Sequence, residues 1–155
     1  MAYRDKSGNG RGWAFIIAVV VLTTLAFLGL LCVCAKGASA GEQRAYLDAI
    51  RMVESTGNDR AVGDGGRSCG PFQCGRAAWK DACEFGGVSW DYDCWVWDRA
   101  RSERVFMWYT RRLGARAWEE RARCWNSGPE WRKKYRLTNG YWRRVKAGMR
   151  SKRCQ

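Results

Sequence analysis

The most informative feature of this sequence is an absence: its 155 residues include no histidine. Without an imidazole the chain can form neither a Ser-His-Asp triad nor a Cys-His pair. Zinc sites that need histidine ligands, such as the HExxH helix and the zinc finger, are excluded for the same reason. Acid–base chemistry near neutral pH is therefore left to Asp, Glu, Cys, Tyr or Lys side chains.

Proline is also scarce, with two residues, whereas 46% of the residues are hydrophobic and 14% are aromatic. A mainly disordered chain has the opposite composition, so a folded core is expected. The length suits one compact domain with an appendage. The chain is strongly basic, with 28 Lys and Arg against 15 Asp and Glu and a formal net charge of +13.

Residues 13–35 form an apolar run without a charged side chain. A run of this length is expected to enter a membrane. It is followed by Ala38-Ser39-Ala40, the A-x-A pattern of a signal-peptide cleavage site, but it is also long enough for a retained anchor. We therefore expect residues 1–40 to be a signal peptide or a membrane anchor. Residues 41–155 would then be exported, either secreted or held at the membrane only through the apolar run.

Two of the eight cysteines lie in the apolar run, at Cys32 and Cys34. The other six are Cys69, Cys74, Cys83, Cys94, Cys124 and Cys154. An even number of cysteines in an exported domain predicts disulfide bonds, although the sequence does not select their connectivity. A metal cluster is disfavoured because no CxxC spacing occurs, and no metal or cofactor is predicted.

The exported part is predicted to be α+β, mostly helical with a small β-hairpin element. Tyr46, Ala49, Ile50 and Val53 follow the i, i+3, i+4, i+7 spacing of one helix face. By similar spacing and by turn residues, helices are expected over residues 43–54, 77–83, 91–113, 118–125 and 141–149, with turns or a hairpin over 59–72 and a basic loop over 132–140.

Glu54 is a candidate general acid because it ends the first of these helices, on the rim of its apolar face. Partial burial and the negative end of the helix dipole both favour a protonated carboxyl, and so raise its pKa. Such an acid can donate a proton at neutral pH, as the cleavage of a glycosidic bond requires. The alternative is an ordinary solvated carboxylate at a helix end.

Asp64 follows in the flexible string Gly63-Asp64-Gly65-Gly66, which can turn back toward the end of the helix. Glycosidases use two carboxyl groups, about 5–5.5 Å apart in retaining enzymes and about 6.5–9.5 Å apart in inverting ones. A second carboxylate is therefore chemically sensible at this position, although an acidic turn without a catalytic role is the simpler interpretation. The string is not a phosphate-binding loop, because no Gly-Lys-Ser/Thr follows.

Several short motifs occur together in the exported part. In chain order they are Val53-Glu54-Ser55, Val62-Gly63-Asp64, Ser68-Cys69-Gly70-Pro71-Phe72-Gln73, Trp79 with Asp81 and Cys83, residues 109–114, Ala122-Arg123, Asn126-Ser127-Gly128-Pro129, and Gly140-Tyr141-Trp142 with Val145. Their order and spacing resemble the invertebrate-type (i-type) lysozymes, the family that includes destabilase. The likeness extends over about residues 45–147.

This resemblance implies a lysozyme-like fold and a secreted, bacteriolytic glycoside hydrolase. The implied substrate is bacterial peptidoglycan, cleaved at the β-1,4 bond between N-acetylmuramic acid and N-acetylglucosamine. Glu54 matches the general acid of the family and Asp64 its second carboxylate. Ser68, Gln73 and Asn126 match positions that line the substrate cleft. Residues 41–155 would then be the catalytic domain.

The chain also departs from the family pattern. Trp125 stands where the family usually has histidine, the turn between Asp64 and Cys69 is one residue shorter, and there are fewer cysteines than in many members. Two other functions stay open: a lytic transglycosylase, which needs Glu54 but no second carboxylate, and a cationic antimicrobial protein that binds without turnover.

The charge of residues 41–155 is +10, from 24 basic and 14 acidic side chains. This charge suits anionic cell-wall polymers as partners. A specific nucleic-acid partner is not predicted, because we expect the bases to be spread over helices and loops among the acids rather than in one stripe. Trp79, Trp90 and Trp131 are candidates for stacking on sugar rings, whereas the tryptophans at helical spacing, including Trp125, are expected in the core.

Overall fold

The structure is a computed structural model and describes residues 39–151. The predicted membrane segment lies outside the described residues, as do Cys32, Cys34 and Cys154. The six helices of the described part are α1 (Ala40–Ser55), α2 (Arg76–Gly86), α3 (Tyr92–Trp95), α4 (Arg99–Arg112), α5 (Trp118–Ser127) and α6 (Asn139–Ser151). The strands are β1 (Val62–Gly63), β2 (Ser68–Cys69) and β3 (Cys74–Gly75), and short 3₁₀ helices span Asp64–Gly66 and Gly128–Glu130. The expected mostly helical α+β architecture is confirmed.

The small sheet is antiparallel, with strand order β1-β2-β3. Val62 pairs with Cys69 in the first hairpin, and Cys69 pairs with Cys74 in the second. The turn between β2 and β3 requires glycine at position 70, where φ is +79° and a Cβ atom would lie 2.1 Å from the carbonyl oxygen of Val96. The predicted hairpin is thus part of a three-stranded sheet whose turn lies directly against the backbone after α3.

Helices α1 and α6 form the main wall of the core. The predicted apolar face of α1 is buried, including Tyr46 and Ile50. Gly148 of α6 approaches α1 so closely that an added Cβ would lie 3.1 Å from the Cβ of Ala49. Tyr141, at the other end of α6, reaches the carboxyl end of α1, so the two helices run antiparallel. This packing places a phenol beside Glu54.

The expected single helix over residues 91–113 is wrong, because the structure divides it into α3 and α4. Asp98 begins α4, and its Oδ1 accepts a hydrogen bond of 2.8 Å from the backbone N–H of Arg101. Ser102 then donates to the carbonyl oxygen of Val96, at 2.9 Å, and so closes the break. An N-cap of this kind satisfies donors that a continuous helix would satisfy itself. The apolar spacing continues through the break and conceals it.

The five cysteines of the described range, Cys69, Cys74, Cys83, Cys94 and Cys124, are unpaired. Disulfide bonds stay a prediction, and Cys69 and Cys74 face each other across β2 and β3. No helix within residues 39–151 has the length and hydropathy of a membrane span.

Candidate active site

A cavity of about 240 Å³ lies where the carboxyl end of α1, the small sheet and α5 meet. It is lined by Glu54, Asp64, Ser68, Gln73, Gly75, Ala78, Tyr109, Trp125 and Asn126. All five residues singled out from the sequence, Glu54, Asp64, Ser68, Gln73 and Asn126, are among them. The structure therefore brings together groups that lie up to 72 positions apart in the chain.

Glu54 lies in the last turn of α1 and is half-buried. The hydroxyl of Tyr141 donates a hydrogen bond of 2.5 Å to its Oε1 atom. Tyr141 itself is only 5% exposed, so this bond lies away from bulk water. This hydrogen bond fixes the position of one of the two carboxyl oxygens of Glu54.

The surroundings raise the pKa of Glu54 to about 7. Burial is the largest cause, because it disfavours the charged form. The hydrogen bond from Tyr141 and the positive charge of Arg144 lower the pKa, while the negative charge of Asp64 raises it. A pKa near 7 lets Glu54 act as a neutral acid close to neutral pH. The rise expected from burial at a helix end is thus present.

Asp64 lies on the exposed side of the cavity, in the first turn of the 3₁₀ helix Asp64–Gly66. The Ser68 hydroxyl donates a hydrogen bond of 2.9 Å to its Oδ2 atom. The backbone of Asp64 is left-handed, with φ of +51°, and that of Gly65 and Gly66 is left-handed as well. Such a backbone is costly for a non-glycine residue and often occurs at functional sites. The left-handed backbone of Asp64 is therefore consistent with a functional position in this turn.

Gln73 lines the cavity, but its amide N–H group is already used. Its Nε2 atom donates to the carbonyl oxygens of Ala61 and Gly70, at 3.0 Å each. A Cβ atom at position 63 would lie 2.2 Å from Gln73 Oε1, so a side chain there would displace the Gln73 amide. Gln73 therefore links the backbone before β1 to the turn between β2 and β3. Its amide oxygen, Oε1, is the group left to accept a hydrogen bond from a ligand.

Asn126 is exposed at the end of α5 and makes no side-chain hydrogen bond to another residue of the described range. Its neighbour Trp125 was expected in the core, yet it also lines the cavity. The indole N–H of Trp125 donates to the carbonyl oxygen of Phe72, at 2.9 Å, and its ring meets that of Tyr109 edge to face. Trp125 thus fixes the wall of the cavity while part of its ring faces the interior.

Two of the three tryptophans named as candidates for stacking on sugar rings are buried. Trp79 and Trp131 are only 2% and 3% exposed and belong to the core. Trp90 is half-buried, packs in a tilted arrangement against Trp108 and lines a different cavity. Loop-like surroundings in the sequence were a poor guide to exposure, because long-range helix packing covers these rings.

Sequence reasoning missed Tyr141 as a partner of Glu54, and Tyr109 as a wall of the cavity. No local signal marks either contact, because Tyr141 lies 87 positions from Glu54. Both residues fall within the motifs that carry the family resemblance, and this is the one signal that could have found them.

The site therefore offers, in one cavity, a proton donor with a pKa of about 7 and an exposed carboxyl group. This pair can assist the cleavage of an acetal bond between two sugars. Within the described range, no group of three or more Cys, Asp or Glu side chains is arranged to hold a metal ion. No protein-family model matches the sequence, and no curated protein matches it.

Proposed function

We propose that this protein is a peptidoglycan hydrolase that cleaves the β-1,4 bond between N-acetylmuramic acid and N-acetylglucosamine. The observation that carries the proposal is the position of Glu54: half-buried, with a pKa of about 7, in the same cavity as Asp64. A general acid for a glycosidic oxygen needs this combination, since it must be neutral near pH 7 and lie in a cleft that admits the chain.

In the proposed reaction, Glu54 protonates the oxygen that leaves with one sugar as the glycosidic C–O bond breaks. Because the Tyr141 hydroxyl donates to Oε1, the proton of the neutral acid belongs on Oε2. Tyr141 therefore selects which oxygen delivers the proton. As the proton leaves, the same hydrogen bond stabilises the carboxylate that remains.

Asp64 is the second carboxyl group of the proposed mechanism. It is exposed, and its oxygen Oδ2 is oriented by Ser68. A carboxylate there would stabilise the positive charge that develops on the sugar ring, or attack the anomeric carbon as the leaving sugar departs. Water then adds to the anomeric carbon and gives its proton to one of the two carboxylates, which completes the hydrolysis. Asn126 offers an amide to the N-acetyl and hydroxyl groups of the substrate.

The same considerations support a lysozyme-like fold and membership of the i-type lysozymes. The supporting observations are the order of the motifs and the common cavity of the five residues that match family positions. Activity on cell walls requires export, either with cleavage of residues 1–40 or with those residues kept as an anchor. Anionic wall polymers would then attract the basic domain to its insoluble substrate.

The proposal is tested by the ends of the fragments released from purified bacterial sacculi, identified by mass spectrometry, with the Glu54→Gln variant as the blank. We expect reducing N-acetylmuramic acid ends from the unmodified protein and almost none from the variant. Anhydro-muramic acid ends would instead identify a lytic transglycosylase. Release of peptides only, or equal release by both proteins, would contradict cleavage of the glycan by Glu54.

A further inference from the structure

The charge of this protein is strongly segregated along the chain. Residues 41–130 contain 14 basic and 14 acidic side chains and are formally neutral. Residues 131–155 contain ten basic side chains and no acidic one. The expectation that bases and acids are mixed throughout the exported part is therefore wrong for its last 25 residues. The whole net charge of residues 41–155 lies in this segment.

Eight of these cations belong to the described range, and all eight are exposed. They are Arg132, Lys133, Lys134, Arg136, Arg143, Arg144, Lys146 and Arg150. We call residues 132–150 the cationic segment. Within it, Lys133 and Lys134 form ion pairs, and both pair with the single carboxylate of Glu130.

Elsewhere in the described range, arginines are commonly neutralised across the helix packing. Arg44 and Arg99 pair with Asp48 and Glu103 between α1 and α4, and Arg112 pairs with Asp81 of α2. On α6 the arrangement is looser: Glu42 and Glu119 line a cavity together with Lys146 and Arg150. None of the ion pairs between described residues involves a cation of α6. The two regions therefore differ in pairing as well as in composition.

Helix α6 presents its cations away from the core. Tyr141 and Val145 are buried against the rest of the domain. At 100° per residue, Arg143, Lys146 and Arg150 fall on the opposite half of the helix, whereas Arg144 lies at the edge of the buried face. All four cations are exposed. The helix is thus amphipathic, with an apolar face that is already covered and a cationic face that is open to solvent.

The loop before α6 carries an uncovered apolar side chain among its cations. Leu137 is 83% exposed, the highest value among the large hydrophobic residues of the described range. It follows Arg136 directly and lies within four positions of Lys133 and Lys134. An exposed leucine that is flanked by cations in the sequence gains little from water or from a purely charged partner.

The buried side chain of Arg123 in α5 holds the backbone of this loop in place. Arg123 is only 4% exposed, and its guanidinium donates to the Tyr135 carbonyl oxygen at 2.5 Å and to Thr138 Oγ1 at 3.0 Å. Glu119 balances its charge with an ion pair of 2.6 Å. Because Arg123 anchors the loop, binding through the cationic segment would not first have to order the backbone.

We propose that the cationic segment, with Leu137 at its exposed loop, is a binding surface for a bilayer of anionic phospholipid. Lipid phosphates complement the eight cations, and the interface between headgroups and acyl chains accepts Leu137. A nucleic acid would complement the charge but would offer nothing to Leu137, and this favours the bilayer. Lipid binding needs no reaction at Glu54, so the surface can be present or absent whatever the fate of the proposed hydrolase. Arg144 also acts on the pKa of Glu54, and the variants below therefore leave it unchanged.

The test is lysine acetylation of the full chain in lipid nanodiscs, with the labelled positions read by mass spectrometry. Discs of phosphatidylcholine alone are compared with discs that also contain phosphatidylglycerol. We expect Lys133, Lys134 and Lys146 to react at least about threefold more slowly in the anionic discs, and this protection to vanish in 1 M NaCl. Lys80, exposed on α2, is the internal control and should react equally in both discs.

Two triple variants that remove the same charge distinguish binding through the cationic segment from attraction of the net positive charge to the bilayer. Arg136→Gln/Arg143→Gln/Arg150→Gln, which keeps every lysine probe, should abolish most of the protection. Arg104→Gln/Arg111→Gln/Arg116→Gln removes the same charge from other exposed positions and should leave the protection unchanged. Leu137→Ser should reduce the protection in anionic discs.

Three results would overturn the proposal. The first is equal labelling of the three lysines in both kinds of disc. The second is an equal loss of protection in both triple variants, which would indicate net charge alone. The third is that duplex DNA, added to neutral discs at the same phosphate concentration, protects the three lysines as well as anionic lipid does and is indifferent to Leu137→Ser. That third result would assign the surface to nucleic acid.

Discussion

At the residue scale, the proton of Glu54 is subject to opposing influences. Burial favours the neutral acid, whereas the Tyr141 hydrogen bond and the charge of Arg144 favour the carboxylate. The resulting pKa of about 7 lies where a general acid is most useful, because the group can both give up and regain a proton near neutral pH. A change to either influence should therefore appear in the pH dependence of the reaction.

The Tyr141→Phe variant removes the hydrogen bond that favours the ionised form of Glu54. We expect the pKa of Glu54 to rise, and the decline of activity on the alkaline side to move up by about one pH unit. The measurement is the rate of sacculus solubilisation from pH 5 to pH 9. A variant that loses activity equally at every pH would instead show that Tyr141 supports the fold and does not tune the acid.

The raised pKa of Glu54 also predicts a pH-dependent cost in stability. Its pKa in the folded protein, about 7, lies above the ordinary value of 4.5, so folding disfavours the ionised form. The free energy of unfolding should therefore fall as the pH rises from about 4.5 to 7. Glu54→Gln cannot ionise, and at pH 8 it should be more stable than the unmodified protein by about 1–2 kcal/mol, a figure reduced for partial exposure.

Urea unfolding at pH 4 and at pH 8 measures this effect. The advantage of Glu54→Gln should be present at pH 8 and absent at pH 4. Glu84→Gln, an exposed carboxyl on α2, is the control and should show little difference at either pH. An advantage of Glu54→Gln that is the same at both pH values would mean that the carboxyl is not held as a neutral acid.

At the scale of the elements, the turn between β2 and β3 positions the cavity wall and depends on glycine. Gly70→Ala would force a side chain into a left-handed backbone and against the carbonyl oxygen of Val96. We expect it to lower the free energy of unfolding by about 2–4 kcal/mol. Gly140→Ala is the matched control, because its Cβ would meet nothing within 4 Å at the start of α6. It should be neutral or stabilising by up to about 1 kcal/mol.

Thermal or urea unfolding of both glycine variants checks this prediction. If Gly70→Ala were as stable as the unmodified protein, the close approach of the turn to the segment after α3 would be incorrect.

Elements with a local cause were predictable from the sequence, and those with a distant cause were not. Helix α1 follows from the spacing of Tyr46, Ala49 and Ile50, and its burial confirms that face. The break between α3 and α4 was missed, although Asp98 is a local N-cap, because the apolar spacing continues through Trp97 and conceals the cap. The third strand was missed because two-residue strands have too little pattern to detect.

The same division applies to the candidate site. Glu54 and Asp64 were identified from a helix end and a glycine-rich turn, and the motif resemblance added Ser68, Gln73 and Asn126. All five line one cavity, yet the role of Gln73 as a link between the backbone before β1 and the next turn depends on backbone geometry that no motif contains. Tyr141 was out of reach for the same reason.

At the scale of the whole molecule, the segregated charge predicts how salt acts on cell-wall activity. Since residues 41–130 are formally neutral, attraction to an anionic wall must come mainly from the cationic segment. Activity on sacculi should fall as NaCl rises past about 0.15 M. Arg136→Gln/Arg143→Gln/Arg150→Gln should be less active at low salt and less sensitive to added salt, whereas the Arg104/Arg111/Arg116 variant should resemble the unmodified protein.

The salt series is measured as sacculus turbidity from 0.02 to 0.5 M NaCl. Over this range the electrostatic screening length falls from about 20 Å to about 4 Å. A flat profile for the unmodified protein, or equal profiles for the two triple variants, would show that the cationic segment does not attract the protein to the wall.

The central claim is that Glu54 gives its proton to a glycosidic oxygen of peptidoglycan. The most direct test is the initial rate of sacculus solubilisation at pH 6 for the unmodified protein, Glu54→Gln and Glu84→Gln. The account predicts that Glu54→Gln is slower by about 10²–10⁴-fold and that Glu84→Gln is unchanged. A rate for Glu54→Gln within about threefold of the rate for the unmodified protein would contradict the account, because general-acid catalysis contributes far more than that.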